Sequence, residues 1–241
     1  MQQKPISFLL GAGFSKPADY PLASEVNDRI KNLKESDITI HTSGLAWFNN
    51  GEPTPNDWFM RKDDRQFAED LIRYYCTIVK EFDYEEFYDW YSNIRTGKIQ
   101  DKKVDSIAFK FNRDTSNLLM NFNFTFNQLL AQLFDKQHPE IHLGRGLPRS
   151  HSQFLDLVDL LEKSHVVHLH SLNHDLFLES LSSTDAIIGE LADGFSELGS
   201  PYYGKLETEA GVTYTVRLKY FANDYNSNIN LYKLHGSIDH Y

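Results

Sequence analysis

The chain has 241 residues, of which 41% are hydrophobic, so it can bury a sizeable core and is not globally disordered. Its formal net charge of -10 disfavours direct binding of nucleic acid, which needs a basic surface. It does not disfavour an anionic small ligand held by backbone amides. Its single cysteine, Cys76, excludes an internal disulfide and a cysteine-based zinc site. Without a signal-peptide pattern or a membrane-spanning apolar run, we expect a cytoplasmic protein that does not contact the membrane.

The first predicted element is a buried strand over residues 6–10, which leads directly into Gly-Ala-Gly-Phe-Ser at residues 11–15. Because Gly11 and Gly13 have no Cβ, the backbone there can adopt positive φ and can come close to a ligand. A helix is predicted from Leu22 onward, where apolar residues recur at helical spacing. Strand, glycine turn and helix predict the first unit of a nucleotide-binding sheet. The third glycine of the dinucleotide fingerprint is absent, so an ordinary strand-to-helix turn is the alternative.

The middle of the chain is predicted to be helical. Residues 35–62 are polar and contain glycine and proline, which indicates a loop or a boundary. A charged run at 97–105 interrupts the helical pattern, and 121–127 also alternate like a strand, although the surrounding apolar stripe favours a helix. A helix is predicted over 65–91, and a second, short helix over 84–95. Further helices are predicted over 116–135 and 152–164, with a loop at 144–148 between them.

Strands return in the last third of the chain. The pattern predicts a buried strand at 166–169, a helix at 176–181, a short strand or turn at 186–189, an alternating strand at 213–221 and a final strand at 231–234. The fold class is therefore α/β: a single domain with a Rossmann-like parallel sheet. Its core is expected from residues 1–35 and 165–241, with a large helical insertion at 36–164.

Polar residues directly follow three of the predicted strands. The first strand leads into the glycine turn, the second into Ser-Leu-Asn-His-Asp at 171–175, and the last into His-Gly-Ser at 235–237. In an open parallel sheet, ligands bind beyond the carboxyl ends of the strands. The three segments are therefore expected to converge in one crevice.

Alternatives stay open for several of these residues. A helix-start role is the alternative for Asn173, and a surface turn is the alternative for His235. Ser15, Asp175 and His235 follow the chain order of a serine-hydrolase triad, but Pro17 stands where the nucleophile elbow has its second glycine. A metal site is a further alternative, although no complete ligand pattern is present; its ligands would be His168, His170 and His174.

The three polar segments resemble the motifs of the sirtuin family, in the family's order. Residues 11–15 fit Gly-Ala-Gly-x-Ser, residues 235–237 fit His-Gly-Ser, and Ser171 replaces the threonine of Thr-x-Asn-x-Asp. The resemblance implies that Asn173 orients the nicotinamide ribose of NAD or a water, and that His235 acts as a base toward a ribose hydroxyl. It implies NAD contacts for Gly11, Ala12, Gly13, Phe14, Ser15, Ser171, Asp175, Gly236 and Ser237, with the glycine turn at the pyrophosphate.

Two departures point away from protein deacylation. The Pro-Asp-Phe-Arg segment of deacylating sirtuins is absent, because Pro21 is followed by Leu-Ala-Ser, and their four-cysteine zinc module is absent as well. In both respects the chain resembles the sirtuin-like NAD hydrolase domains of bacterial anti-phage defence proteins, which also carry helical insertions. The resemblance implies that NAD is the substrate, that no zinc is bound, and that a homo-oligomer is triggered by a sensor domain or a partner protein.

The family's sheet continues past His-Gly-Ser with strands that complete the adenosine side of the pocket, whereas this sequence ends at Tyr241. We therefore expect the C-terminal strands of the sheet to be missing from this chain, which would be the N-terminal part of a longer protein. Two functional alternatives stay open, namely a module that binds NAD or ADP-ribose without turnover and a sirtuin-type deacylase. Cyclisation and ADP-ribosyl transfer break the same bond as hydrolysis and are compatible with the same residues.

Overall fold

The structure, a computed structural model, describes residues 3–42, 44–49, 61–134, 149–175, 177–182, 190–196, 203–207, 213–217 and 220–234. The chain divides into two compact units, one formed by residues 1–20 and 134–241 and the other by residues 21–133. The second unit thus begins and ends earlier than the expected insertion of 36–164. Among the described helices, none is long and apolar enough to cross a membrane.

The helices and strands follow one another along the chain. They are β1 (Lys4–Leu10), α1 (Ala12–Ser15), α2 (Ala23–Lys31), β2 (Ile38–Ile40), β3 (Ala46–Phe48), α3 (Lys62–Ile78), α4 (Tyr84–Arg95), α5 (Lys102–Phe109), α6 (Thr115–Phe134), α7 (Arg149–Leu161), β4 (His165–Ser171), α8 (Phe177–Ser182), β5 (Leu191–Ala192), β6 (Gly194–Ser196), β7 (Tyr203–Glu207), β8 (Thr213–Arg217), β9 (Tyr220–Asp224) and β10 (Ile229–Lys233).

The first unit is built on a parallel sheet of four strands in the order β1-β4-β10-β5. One face of this sheet is the apolar core, because alternate side chains of a strand point to the same side. Phe8, Leu169 and Leu231 lie side by side across the three longer strands. Helices α7 and α8 cover this face through residues such as Val158 and Phe177, both fully buried. The predicted α/β class is confirmed, and a parallel sheet flanked by helices is consistent with a Rossmann-like fold.

The second unit is predominantly helical and has an aromatic core. Phe87 on α4 is fully buried, and its ring lies 5.0 Å from Tyr75 on α3 and 5.5 Å from Phe126 on α6, centroid to centroid. Such ring pairs stabilise the core beyond what the burial of their apolar area contributes. The predicted helices at 84–95 and 116–135 are confirmed by α4 and α6, so the strand-like alternation at 121–127 is part of a helix.

Several elements differ from the sequence-based expectation. The segment 35–62, predicted as a loop, contains the antiparallel pair β2 and β3, whose three-residue strands are too short to give a periodic signal. Helix α5 begins inside the charged run because the Asp101 carboxylate accepts a hydrogen bond from the Lys103 N–H at 2.9 Å. The predicted strand at 213–221 covers all of β8 and the first two residues of β9. The segments 144–148 and 186–189 lie outside the described residues.

Replacing Phe87 by alanine tests the aromatic core. We expect Phe87→Ala to lower the free energy of unfolding by about 3–5 kcal/mol, because it leaves a cavity among close-packed rings. Phe109→Ala is the matched control, since the Phe109 side chain at the end of α5 is 81% exposed. Denaturant titration of both variants measures the difference. Equal losses in the two variants would contradict the packing described for Phe87.

Candidate functional site

The register between β1 and β4 places two of the three predicted polar segments side by side. Leu10 pairs with Ser171 at the carboxyl ends of the two strands, and the Leu172 N–H donates to the Leu10 carbonyl at 3.0 Å. The chain therefore leaves both strands at the same edge of the sheet, one into the glycine turn and the other into residues 172–175.

The third predicted segment, His235, Gly236 and Ser237, lies outside the described residues. The strand before it is confirmed as β10, in which Lys233 pairs with Ser171. The Leu234 N–H also donates to the Ser171 carbonyl at 2.9 Å. All three strands that lead into the polar segments thus lie in one parallel sheet, as the sequence predicted, with β4 between β1 and β10.

The glycine turn does not use the positive φ that glycine allows. Gly11 has a φ of -103°, and neither Gly11 nor Gly13 is among the positive-φ glycines of the described chain. The one-turn helix α1 begins directly after Gly11, whereas α2, the helix predicted from Leu22, belongs to the second unit. A Cβ added at Gly11 or Gly13 would meet no atom within 4 Å, so these glycines leave the backbone openly accessible.

The side chain of Asn173 joins the two segments. Its Nδ2 donates to the Gly11 carbonyl at 3.1 Å and to Ser15 Oγ at 2.8 Å, and the side chain is buried. Because a carbonyl oxygen can only accept, the amide nitrogen and not the amide oxygen must face the turn. Asn173 therefore bridges the two segments. Its side chain caps none of the described helices, so the alternative of a helix-start role is wrong.

The amide oxygen of Asn173 is available to accept a hydrogen bond. Oδ1 is buried and accepts no hydrogen bond from any described residue. A buried acceptor without a donor is costly, so a hydroxyl or water that donates to Oδ1 would be bound favourably. Ser15 Oγ accepts from Asn173, which leaves its hydroxyl hydrogen to be donated elsewhere. The site thus offers a neutral acceptor and a hydroxyl donor beside accessible backbone.

Two other candidate residues, Ser171 and Asp175, fix the conformation around residues 172–175 through hydrogen bonds. Ser171 Oγ accepts a hydrogen bond from the Asn173 N–H at 3.1 Å. The Asp175 carboxylate accepts from the Phe177 N–H at 3.1 Å, so Asp175 and not Asn173 satisfies the start of α8. The side chains of both residues are buried.

His151 is a buried residue of this region that was not predicted from the sequence. Its Nε2 lies 2.6 Å from the carbonyl oxygen of Phe14, which can only accept, so Nε2 carries the hydrogen. Its ring packs at 4.9 Å from the ring of Phe14 and 4.7 Å from that of Phe177. A usable signal was present, because His151 lies on the same helical stripe as Phe154 and Val158.

Lys233 is the second such residue. Its Nζ donates to the Asp175 carbonyl and lies 3.3 Å from the carboxylate of Glu179. The signal for Lys233 was its position, because it shares the inward face of β10 with the buried Ile229 and Leu231. A lysine that follows two apolar residues on the same inward face indicates a buried cation at the end of the strand.

Of the three histidines considered as metal ligands, His168 and His170 lie on the face of the sheet opposite the apolar core, whereas His174 lies after the end of β4. The rings of His168 and His170 are 6.3 Å apart, the ring of Tyr232 stacks on His170 at 4.9 Å, and its hydroxyl lies 3.2 Å from His168 Nδ1. Burial raises the pKa of Tyr232, which keeps its phenol protonated. In the part of the chain that is described, no three His, Cys, Asp or Glu side chains are grouped to hold a metal ion.

Comparison with known proteins adds no family to these observations. No protein-family model matches the chain, and no curated protein matches it significantly. The function is therefore argued from the geometry at the ends of β1 and β4 and from the motifs that lie there.

The helix-start role of Asp175 is testable. Asp175→Ala should lower the free energy of unfolding by about 0.5–2 kcal/mol, because the Phe177 N–H loses its acceptor. Asp175→Asn keeps an oxygen acceptor at that position and should lose less. Thermal or denaturant unfolding of both variants measures this. If Asn and Ala are equally destabilising, the negative charge of Asp175 matters more than its hydrogen bond.

Proposed function

We propose that the protein is an NAD hydrolase of sirtuin-like fold, which cleaves NAD to nicotinamide and ADP-ribose. The observation that carries this proposal is the Asn173 amide, which is held against Gly11 and Ser15 with its Oδ1 turned away from both. These residues carry the sirtuin-like motifs, and Gly11 and Asn173 are 162 positions apart in the sequence. Their meeting in the fold supports a shared site rather than two chance motif matches.

The proposed chemistry needs an acceptor with the properties of Asn173. Hydrolysis breaks the bond between ribose C1′ and the nicotinamide nitrogen, which keeps the electron pair. The oxygen of water bonds to C1′ and loses a proton. The transition state carries positive charge on the ribose, and a neutral amide oxygen can hold the water or a ribose hydroxyl without bonding to that cation. In this proposal His235 takes a proton, which a histidine can do near neutral pH.

The glycine turn supports the phosphate half of the same ligand. The N–H groups at the start of α1 have no acceptor within that helix, and there is room beside Gly11 and Gly13 for another atom to approach. Backbone N–H groups bind phosphate without lysine or arginine, which agrees with the acidic composition of the chain. The Ser15 hydroxyl is an additional donor for a phosphate or ribose oxygen.

The serine-hydrolase alternative has less support. The partner that the structure gives Ser15 is the Asn173 amide, which cannot take a proton from a nucleophile. The carboxylate of Asp175 accepts from the start of α8. Leu-Ala-Ser follows Pro21 where deacylating sirtuins have Asp-Phe-Arg, which argues against a sirtuin-type deacylase.

The biological setting in this proposal follows from the resemblance alone. The protein would act in the cytoplasm as the effector of a bacterial anti-phage defence system that depletes NAD. It would be a homo-oligomer, activated by a sensor domain or a partner protein, with a helical insertion into a sirtuin-like core.

Nicotinamide release from NAD tests the proposal, with Asn173→Ala and His235→Ala beside the unmodified chain. We expect kcat to fall by about 100-fold or more in both variants, because each loses a group that acts on the reacting atoms. Asn117→Ala is the control, since Asn117 is an exposed asparagine on α6, and it should keep full activity. Binding of NAD is measured in parallel by calorimetry.

Release that persists in both variants would place the chemistry elsewhere and overturn the site. Binding of NAD without release by the unmodified chain would favour a regulatory module or an enzyme that requires its activator. Failure to bind NAD would overturn the nucleotide proposal.

Gly13→Ala tests whether the turn must stay open to a ligand. The added methyl group has free space in the structure and suits a helix, so stability should not fall, whereas NAD affinity should fall at least about tenfold if a phosphate approaches there. The contrasting control is Gly97→Ala in the second unit, where φ is +74°. That variant should lose about 1–2 kcal/mol of stability and keep NAD binding. Unchanged affinity in Gly13→Ala would contradict phosphate binding at the turn.

A further inference from the structure

A buried lysine connects three elements beside the Asn173 site. Lys233 is the last residue of β10, and its side chain is 4% exposed. Its Nζ donates to the backbone carbonyl of Asp175, at the end of the segment that follows β4. The same ammonium group lies 3.3 Å from a carboxylate oxygen of Glu179 on α8, whose side chain is 12% exposed.

We propose that Lys233 is a positioning residue for the site, and this inference rests on the proposed NAD hydrolysis. By holding the Asp175 carbonyl, Lys233 fixes residues 172–175 from the side of β10. That fixation keeps the Asn173 amide on Gly11 and Ser15 and directs its Oδ1 toward the ligand. Lys233 acts through the backbone of Asp175, so it is not assigned a contact with the reacting atoms.

The segment is fixed at its other points by neighbouring groups. The Leu172 N–H donates to the Leu10 carbonyl, and the Asn173 N–H donates to Ser171 Oγ. These bonds tie the start of the segment to β1 and β4, whereas Lys233 ties its end to β10. Asn173 lies between the two attachments, so its side chain is oriented from both sides.

A lysine meets the chemical demands of this position better than an apolar residue. The buried Asp175 carbonyl needs a donor, and the ammonium group supplies one while a second hydrogen faces Glu179. Removing Lys233 alone also takes a cation away from the Glu179 carboxylate, whose side chain is only 12% exposed, and loss of one partner of such a shielded ion pair is destabilising. A test must therefore separate the effect on folding from the effect on Asn173.

Three variants make that separation: Lys233→Met, Glu179→Gln and the double variant. Lys233→Met should lower the melting temperature, because the Glu179 carboxylate loses its cation. The double variant removes both charges and should regain most of the melting temperature. It still lacks the donor to the Asp175 carbonyl, so kcat for nicotinamide release should stay reduced, on the order of 100-fold, with a much smaller change in KM. Lys163→Met, at an exposed lysine after α7, is the control and should match the unmodified chain.

Hydrogen exchange of the amides of residues 172–175 gives a readout that does not depend on activity. We expect faster exchange there in the double variant than in the unmodified chain or in Lys163→Met. Wild-type kcat in the double variant would overturn the proposal, because Lys233 would then serve only to neutralise Glu179. If the unmodified chain releases no nicotinamide, the kcat comparison does not apply, and the exchange rates alone decide whether Lys233 positions the segment. Unchanged exchange would then overturn that role.

Discussion

The parallel pairing of β1 with β4 determines where Asn173 and the glycine turn of the candidate site lie. Leu10 is opposite Ser171, so the two chains turn away from the sheet at the same level. The distance from Asn173 Nδ2 to the glycine turn follows from that register. A shift by one residue would turn the side chains of one strand to the other face and would bury polar groups in the apolar core.

The sequence predicted the elements with strong local patterns and the edge of the sheet at which the site lies. Apolar runs of strand length marked β1, β4 and β10, and polar residues after each run indicated a common edge, which the register confirms for β1 and β4. The common edge could be predicted because the carboxyl ends of parallel strands lie at the same edge of the sheet, whatever the sequence between the strands. The role of Asn173 as a bridge to Gly11 and Ser15 depends on side-chain orientation, which motif spacing does not contain.

Other features depend on contacts between distant residues and could not be obtained from local patterns. His151 reaches Phe14 across 137 positions, and Lys233 reaches Asp175 across 58. Both were visible only as polar residues on otherwise apolar faces, which indicates burial but does not identify the partner. Helix α5 was missed for a different reason. Its charges lie outward while Val104 and Ile107 are buried, so a charged composition concealed an amphipathic helix.

The position of the second unit in the sequence has a consequence for how the chain folds. During synthesis β1 emerges first, but its partner β4 emerges only after residues 21–133 and α7, so the second unit can fold while Phe8 and Leu10 still have no sheet to join. Closing a contact over such a separation is slow relative to forming local helices. All three tryptophans, Trp47, Trp58 and Trp90, fall within residues 21–133. Tryptophan fluorescence therefore reports on the folding of the helical unit, which is synthesised before β4. The assembly of the sheet that carries the candidate site requires a separate probe.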